Sequence, residues 1–110
     1  MARKHLGSAL IGSAATETTI YTPAAANLIA TIGSLTFFNT SASAQATITV
    51  YGPHSGAAAS GDIIDEFTLN PRKSYVCRPA INKVVAQSEL ISCECDTASI
   101  VNYSADGDET

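Results

Sequence analysis

The fold is decided by two neighbouring segments, LIATIGSLTFF at residues 28–38 and ATITVY at residues 46–51. In the second segment apolar residues hold the even positions and threonines lie between them, which is typical of a strand with one buried face. The first segment alternates in the same way up to Ile32 and resumes out of phase at Leu35, as happens where a β-bulge adds one residue. We predict one long bulged strand that turns through residues 39–44 into a second strand, so that the two form a hairpin.

Shorter strand signals recur along the rest of the chain, at residues 17–22, 63–70, 74–77, 89–95 and 99–104. Their alternation predicts that the following side chains point inward: Phe67, Leu69, Ile91, Cys93, Cys95, Val101 and Tyr103. Residues 80–85 are a connector, either a strand or one helical turn. No segment has a helical period of convincing length, so the chain is predicted to be all-β. We expect an antiparallel β-sandwich or a jelly-roll-like fold of about seven or eight short strands.

The distribution of charge suggests three parts. We predict an extended N-terminal arm at residues 1–15, a β-sandwich domain at residues 16–104 and an acidic C-terminal tail at residues 105–110. Arg3 and Lys4 make the arm basic. One hypothesis is that the arm of one subunit meets the acidic tail of its neighbour, and the alternative is that both termini are solvated.

The first half of the chain is almost free of charge. Between His5 and Gly61 the only formal charge is that of Glu17, and Ala, Ser and Thr make up 42 of the 110 residues. A free domain usually keeps about a quarter of its residues charged, because a charged surface resists association. We therefore expect this surface to be covered by other subunits. The net charge of −4 gives no basic footprint for nucleic acid.

The cysteines and the hydropathy pattern indicate where the chain is made. Cys77, Cys93 and Cys95 are an odd number, which does not close a disulfide framework, so we expect a reducing cytosol. The apolar centre near the start, residues 6–11, is shorter than that of a signal peptide. No run approaches the length of a membrane span, and we expect no membrane contact.

The groups that could carry chemistry have simpler structural interpretations. The three cysteines lack the spacing of a zinc knuckle and fit small core residues better. His5 and His54 have no evident partner in the sequence. Asp65 and Glu66 are adjacent on a strand and point to opposite faces, so they cannot flank one substrate bond. We predict no catalytic residue, no metal and no cofactor, and hence no enzyme.

Two aromatic residues stand out of phase with the core. Phe38 and Tyr51 have the parity of outward-facing positions on their strands, and interface cores are enriched in such residues. Together with Arg3 and Lys4 they are our candidate residues for a protein interface. A ligand groove is the second interpretation of the aromatic pair.

These segments resemble a pattern of small virion proteins of tailed bacteriophages. The resemblance rests on TTIYTP at residues 18–23, the bulged strand at residues 28–38 ending in FNTS at residues 38–41, and ATITV at residues 46–50. It covers residues 16–103, and the family comprises β-sandwich decoration or cement proteins, fibre-base proteins and minor capsid proteins.

The resemblance implies a role and no functional residues, because this family has no shared catalytic motif. It implies a non-enzymatic virion protein, assembled in the host cytoplasm, that decorates or cements the capsid through contacts with the major capsid protein or other virion proteins. It also implies small symmetric homo-oligomers such as trimers. The alternative within virions is a neck, tail or fibre-base component. The alternative from another class is a carbohydrate-binding or adhesive β-sandwich module, because a fold does not fix a function.

Overall fold

The computed structural model of the chain describes residues 3–25 and 27–110. In these residues the chain forms nine strands: β1 (Arg3–Leu10), β2 (Thr18–Tyr21), β3 (Ala30–Asn39), β4 (Ala46–His54), β5 (Ile63–Leu69), β6 (Ser74–Val76), β7 (Val84–Val85), β8 (Leu90–Cys95) and β9 (Val101–Glu109). Two short 3-10 turns, Ser60–Asp62 and Arg78–Ala80, are the only helical segments in the described part.

The strands form two antiparallel sheets that enclose one core. The first sheet has the order β1-β9-β3-β6, and β7 also pairs with β3; the second sheet has the order β2-β8-β4-β5. Both sheets contribute fully buried side chains, among them Ile32, Leu35 and Phe37 from β3 and Ile48 and Val50 from β4. The prediction of an all-β sandwich is confirmed, with nine strands in place of about seven or eight.

The local patterns predicted the faces of the strands correctly. The register of β3 against β9 shifts between Ile32 and Ser34, which is the predicted bulge. Strand β4 alternates buried and half-buried residues along its whole length. On β8 the residues Ile91, Cys93 and Cys95 are buried, as predicted.

The predicted hairpin between β3 and β4 is wrong, because the two strands belong to different sheets. The cause is Asn39, a fully buried residue at the end of β3. Its amide nitrogen donates to the carbonyls of Ala44 and Leu69 at 2.8 and 3.0 Å. Its amide oxygen accepts from the backbone N–H of Ser41 at 2.9 Å. These bonds fix a corner that carries the chain from one layer of the sandwich to the other.

The segments expected to be an arm and a tail are strands of the first sheet. Residues 3–10 form β1, residues 105–109 form the last part of β9, and the two pair antiparallel; residues 1–2 lie outside the described part. The basic and acidic ends do meet, but within one chain: Lys4 forms an ion pair with Glu109. Opposite charge and ladder hydrogen bonds together outweigh the low strand propensity of an acidic segment.

Candidate binding face

The outer face of the first sheet carries most of the exposed apolar side chains. Of the six large apolar residues that are exposed in the described part, four lie on its strands: Leu10, Phe38, Val76 and Val84. Strand register places Leu10 on β1 opposite Asn102 on β9, and Asn102 opposite Phe38 on β3. Directly opposite residues project from the same face of a sheet, so Leu10 and Phe38 flank Asn102 on one surface.

A second row of side chains runs parallel to the first. Ser8, Ser104, Thr36 and Val76 follow one another across β1, β9, β3 and β6. We call the two rows together the neutral patch, which consists of Ser8, Leu10, Thr36, Phe38, Ser74, Val76, Asn102 and Ser104. None of these eight side chains carries a charge, so the patch offers a partner apolar contact, hydroxyl groups and one amide.

Two shallow hollows lie in the neutral patch on either side of β9. One, of about 120 Å³, lies between Phe38 and Asn102, and the other, of about 340 Å³, lies between Leu10 and Asn102. Among the described residues that line them, Tyr103 alone is titratable, and its hydroxyl donates inward to the backbone carbonyl of Thr19 at 3.2 Å. The described side chains that line the two hollows therefore include no paired nucleophile and base.

The charges of this sheet are gathered at its other end. His5 Nδ1 lies 3.0 Å from Asp106 Oδ1 on the outer face. Glu109 accepts hydrogen bonds from the ammonium of Lys4 and the hydroxyl of Tyr21, and these bonds lower the pKa of its carboxyl. The paired side chains of Lys4, His5, Asp106 and Glu109 thus lie at one end of the sheet, and the neutral patch lies at the other.

The four predicted interface residues do not form one surface. Phe38 lies in the neutral patch, whereas Tyr51 lies on β4 of the second sheet, on the opposite side of the sandwich. Lys4 is on β1 in its ion pair with Glu109. Arg3 is in the same strand, and its side chain lies outside the described part.

The sequence patterns did not identify Leu10 and Val76 as members of the neutral patch. Val76 stands between Tyr75 and the buried Cys77, so the alternation of side chains on its strand already indicated that Val76 faces outward. Leu10 lay in the predicted arm, and its position next to Asn102 follows only from the register of β1.

The outer face of the second sheet has a different character. The Tyr51 hydroxyl donates to Glu94 Oε2 at 2.9 Å, and the Thr49 hydroxyl donates to Glu66 at 3.0 Å. Burial and, as a smaller effect, the neighbouring Glu94 carboxylate raise the pKa of Tyr51. This face is acidic and its polar groups pair with one another, so Tyr51 is not a free apolar anchor.

Both histidines have carboxylate partners, so the interpretation that they lack partners is wrong. The buried His54 places Nε2 at 2.9 Å from Glu17 Oε2. Ser92 Oγ donates to the same carboxylate at 2.7 Å. A serine nucleophile needs a histidine that accepts its proton, but Ser92 is fully buried and bonds to Glu17. The cluster has the residue types of a catalytic triad, but the serine and the histidine both bond to the carboxylate and not to each other.

The carboxylates Asp65 and Glu66 point to opposite faces, as predicted. Asp65 stands opposite the buried Val50 and accepts from the Tyr75 hydroxyl at 2.7 Å. This hydrogen bond and, as a smaller effect, burial raise the pKa of Tyr75 to about 12. Glu66 is exposed on the outer face. Asp65 therefore has a structural partner between the sheets, and the two carboxylates do not act as a pair.

The three cysteines are core residues. Cys77, Cys93 and Cys95 are free thiols with no exposed surface, and burial raises the pKa of the Cys77 and Cys93 thiols to about 12. Within residues 3–25 and 27–110, no group of three or more His, Cys, Asp or Glu side chains is arranged to hold a metal ion. These thiols pack as small apolar side chains.

Comparison with known proteins finds no matching family model, no similar curated protein and no similar solved structure. In the part of the chain that the structure describes, no helix is long and apolar enough to cross a membrane.

Proposed function

We propose that this chain is a non-enzymatic virion structural protein that decorates or cements the capsid of a tailed bacteriophage by docking its neutral patch on the major capsid protein. The observation that carries the proposal is the composition of the patch: eight uncharged side chains, with Leu10, Phe38 and Val76 between 37% and 47% exposed. Interface cores are depleted in charge and contain aromatic anchors. The resemblance to small virion proteins supplies the partner.

The size of the patch suits attachment in many copies. Four strands spaced about 4.8 Å apart and two rows of side chains cover a few hundred Å², which is less than the roughly 800 Å² per partner of a stable interface. A single contact of this size is weak. Repeated contacts from a small homo-oligomer, such as the trimer implied by the resemblance, would add through avidity. Binding only to the assembled shell would stabilise it by linkage.

A second candidate function rests on the smaller hollow. The ring of Phe38 lies beside the amide of Asn102 and the hydroxyls of Ser74 and Ser104, a combination that can stack on and hydrogen-bond to a sugar. This observation favours the carbohydrate-binding or adhesive alternative. The two functions differ in the mature state, because an adhesin exposes Phe38 and a cement protein buries it.

The experiment is co-sedimentation of the purified chain with expanded capsids, and separately with tails, of the phage that encodes it. Leu10→Asp places a charge in the neutral patch, and the matched control Ile63→Asp changes an equally exposed residue, 43% against 47%, on the second sheet. We expect Leu10→Asp to weaken capsid binding at least about tenfold, since a buried unpaired charge is costly, and Ile63→Asp to leave it unchanged.

Each outcome is informative. Equal binding of the two variants would show that the neutral patch is not the docking face. Binding to tails alone would favour the neck or tail alternative. Binding to neither particle, together with glycan binding that Phe38→Ala abolishes, would favour the carbohydrate-binding class.

A further inference from the structure

Three separate segments of the chain meet at one carboxylate, that of Glu17. Its Oε2 accepts from Ser92 Oγ on β8 at 2.7 Å and lies 2.9 Å from His54 Nε2 at the end of β4. Its Oε1 accepts from the backbone N–H of Ala58, in the loop between β4 and β5, at 2.9 Å. With histidines counted as neutral, Glu17 is also the only formal charge between His5 and Gly61. One charged group therefore ties this loop to the second sheet.

The hydrogen-bond partners of His54 favour its charged form. Its Nδ1 lies 2.7 Å from the carbonyl oxygen of Gly52, and its Nε2 faces the carboxylate of Glu17. A carbonyl and a carboxylate can only accept hydrogen bonds. Both ring nitrogens must then donate, and a histidine that donates from both nitrogens is the charged imidazolium.

The surroundings of His54 favour the same state. Burial alone would lower the pKa of His54, but the Gly52 carbonyl, the Glu17 carboxylate and the negative charge of Asp62 outweigh burial and raise it. The Tyr51 ring packs edge-on against the imidazole, with centroids 6.3 Å apart, and its hydroxyl is bound to Glu94. The charged and titratable groups that face the imidazole from these elements are thus acidic or neutral.

We propose that His54 and Glu17 form a pH-sensitive clasp that holds the loop at residues 55–62 against the second sheet when His54 is protonated and releases it when His54 loses its proton. Loss of a proton leaves a ring nitrogen lone pair facing either the Gly52 carbonyl or the Glu17 carboxylate. The imidazole then no longer holds in place the carboxylate that accepts from the Ala58 N–H. Two further hydrogen bonds, between Ala59 and Asp62, lie within the loop at its 3-10 turn. The rest of the loop is mainly Ala, Gly and Ser, and Gly56 has a φ of +71°.

The direction of the pH response follows from the two shifts. The pKa of His54 is raised from 6.5. Its contribution to the free energy of unfolding is therefore complete below pH 6.5 and is lost as the pH rises through the folded-state pKa. The pKa of Glu17 is lowered from 4.5, first by the hydrogen bond from Ser92 and then by that from Ala58. Its contribution is present above 4.5 and is lost as pH falls through its folded-state pKa. The clasp is closed between these limits, opens on the alkaline side as His54 loses its proton, and opens on the acidic side as Glu17 gains one.

The first test is an NMR titration of the intact ¹⁵N-labelled chain from about pH 5 to about pH 9. We expect both nitrogens of His54 to carry protons at the acidic end, a midpoint above 6.5, and an Ala58 amide signal that moves with the same midpoint. His5→Gln is the matched control and should leave all three unchanged, because His5 is exposed and pairs with Asp106. A midpoint at or below 6.5, or an Ala58 signal that ignores it, would overturn the proposal.

The second test measures the loop itself. Elastase cleaves after small residues, and Ala57, Ala58 and Ala59 lie in the loop. Relative to a peptide substrate that corrects for the pH dependence of the protease, we expect cleavage to rise about tenfold from about pH 6 to about pH 9 as the loop opens. In Glu17→Gln the loop should be cleaved rapidly at both values. A corrected rate that is the same at both values in the unaltered protein would refute the clasp, whether or not the variant folds.

Discussion

Gly107→Ala should destabilise the protein far more than one added methyl group suggests. Gly107 is a buried residue of β9, between Lys4 on β1 and Ile32 on β3. It stands opposite the bulge of β3. A Cβ atom at this position would lie 2.1 Å from the carbonyl oxygen of Thr31 and 3.1 Å from the backbone nitrogen of Gly33.

The magnitude follows from these distances. Real Cβ atoms do not come closer than 3.0 Å to such atoms, so β9 and β3 would have to separate by about 1 Å. Overpacking of this kind costs about 1–3 kcal/mol, and each ladder hydrogen bond weakened by the separation adds about 0.5–1.5 kcal/mol. With two such bonds affected we expect a loss of about 2–6 kcal/mol, a large part of the roughly 5–15 kcal/mol that stabilises a domain.

Urea unfolding followed by far-UV circular dichroism measures this loss, and tyrosine fluorescence is a second probe because the chain has no tryptophan. The control is Gly61→Ala, since a Cβ atom at Gly61 would meet no atom within 4 Å. We expect this variant to stay within about 0.5 kcal/mol of the unaltered protein. A loss of less than about 1 kcal/mol for Gly107→Ala, at an unchanged urea dependence, would mean that β9 is not held between β1 and β3 as described.

Two further predictions concern the corner and the core. Asn39→Ala should cost about 2–3 kcal/mol in the same urea assay, because it removes the partners of two carbonyls and one N–H at a buried corner, whereas Asn102→Ala on the exposed patch should cost less than about 0.5 kcal/mol; equal losses would contradict the role of Asn39. The three cysteines should react with a thiol reagent at about pH 8 only as fast as the chain unfolds, because burial raises their pKa and blocks access. A thiol that reacts at the rate of free cysteine in the folded protein would contradict its place in the core.

The faces of the strands could be predicted from the sequence because they depend on a local period of two residues. The bulge between Ile32 and Ser34 and the inward positions of Ile91 and Cys93 need no knowledge of which strands are neighbours. The exchange of sheets after β3 could not be predicted in this way. It depends on the bond from Asn39 to the carbonyl of Leu69, 30 residues further along the chain.

The same limit applies to the charged groups. His54 lacked a partner in the sequence because Glu17 lies 37 residues away. The acidic segment at the end of β9 has poor strand propensity, and its pairing with β1 depends on residues about a hundred positions distant. A single carboxylate in an otherwise neutral half is nevertheless a signal that sequence reading can use, since such a group needs a specific partner if it is buried.

The neutral patch shows why the linear charge pattern and the surface pattern differ. The first half of the chain, in which Glu17 is the only formal charge after Lys4, supplies β1 to β4. These strands are divided between both sheets, so the low charge of this half does not by itself produce one uncharged face. Asn102, Ser104 and Val76 come from the charged half and complete the patch. Strand register, which places Asn102 between Leu10 and Phe38 and Ser104 between Ser8 and Thr36, is therefore what creates the neutral patch. A shift of β9 by one residue would turn Asn102 and Ser104 inward and bring Tyr103 to the surface, so the neutral patch and the core depend on the same register.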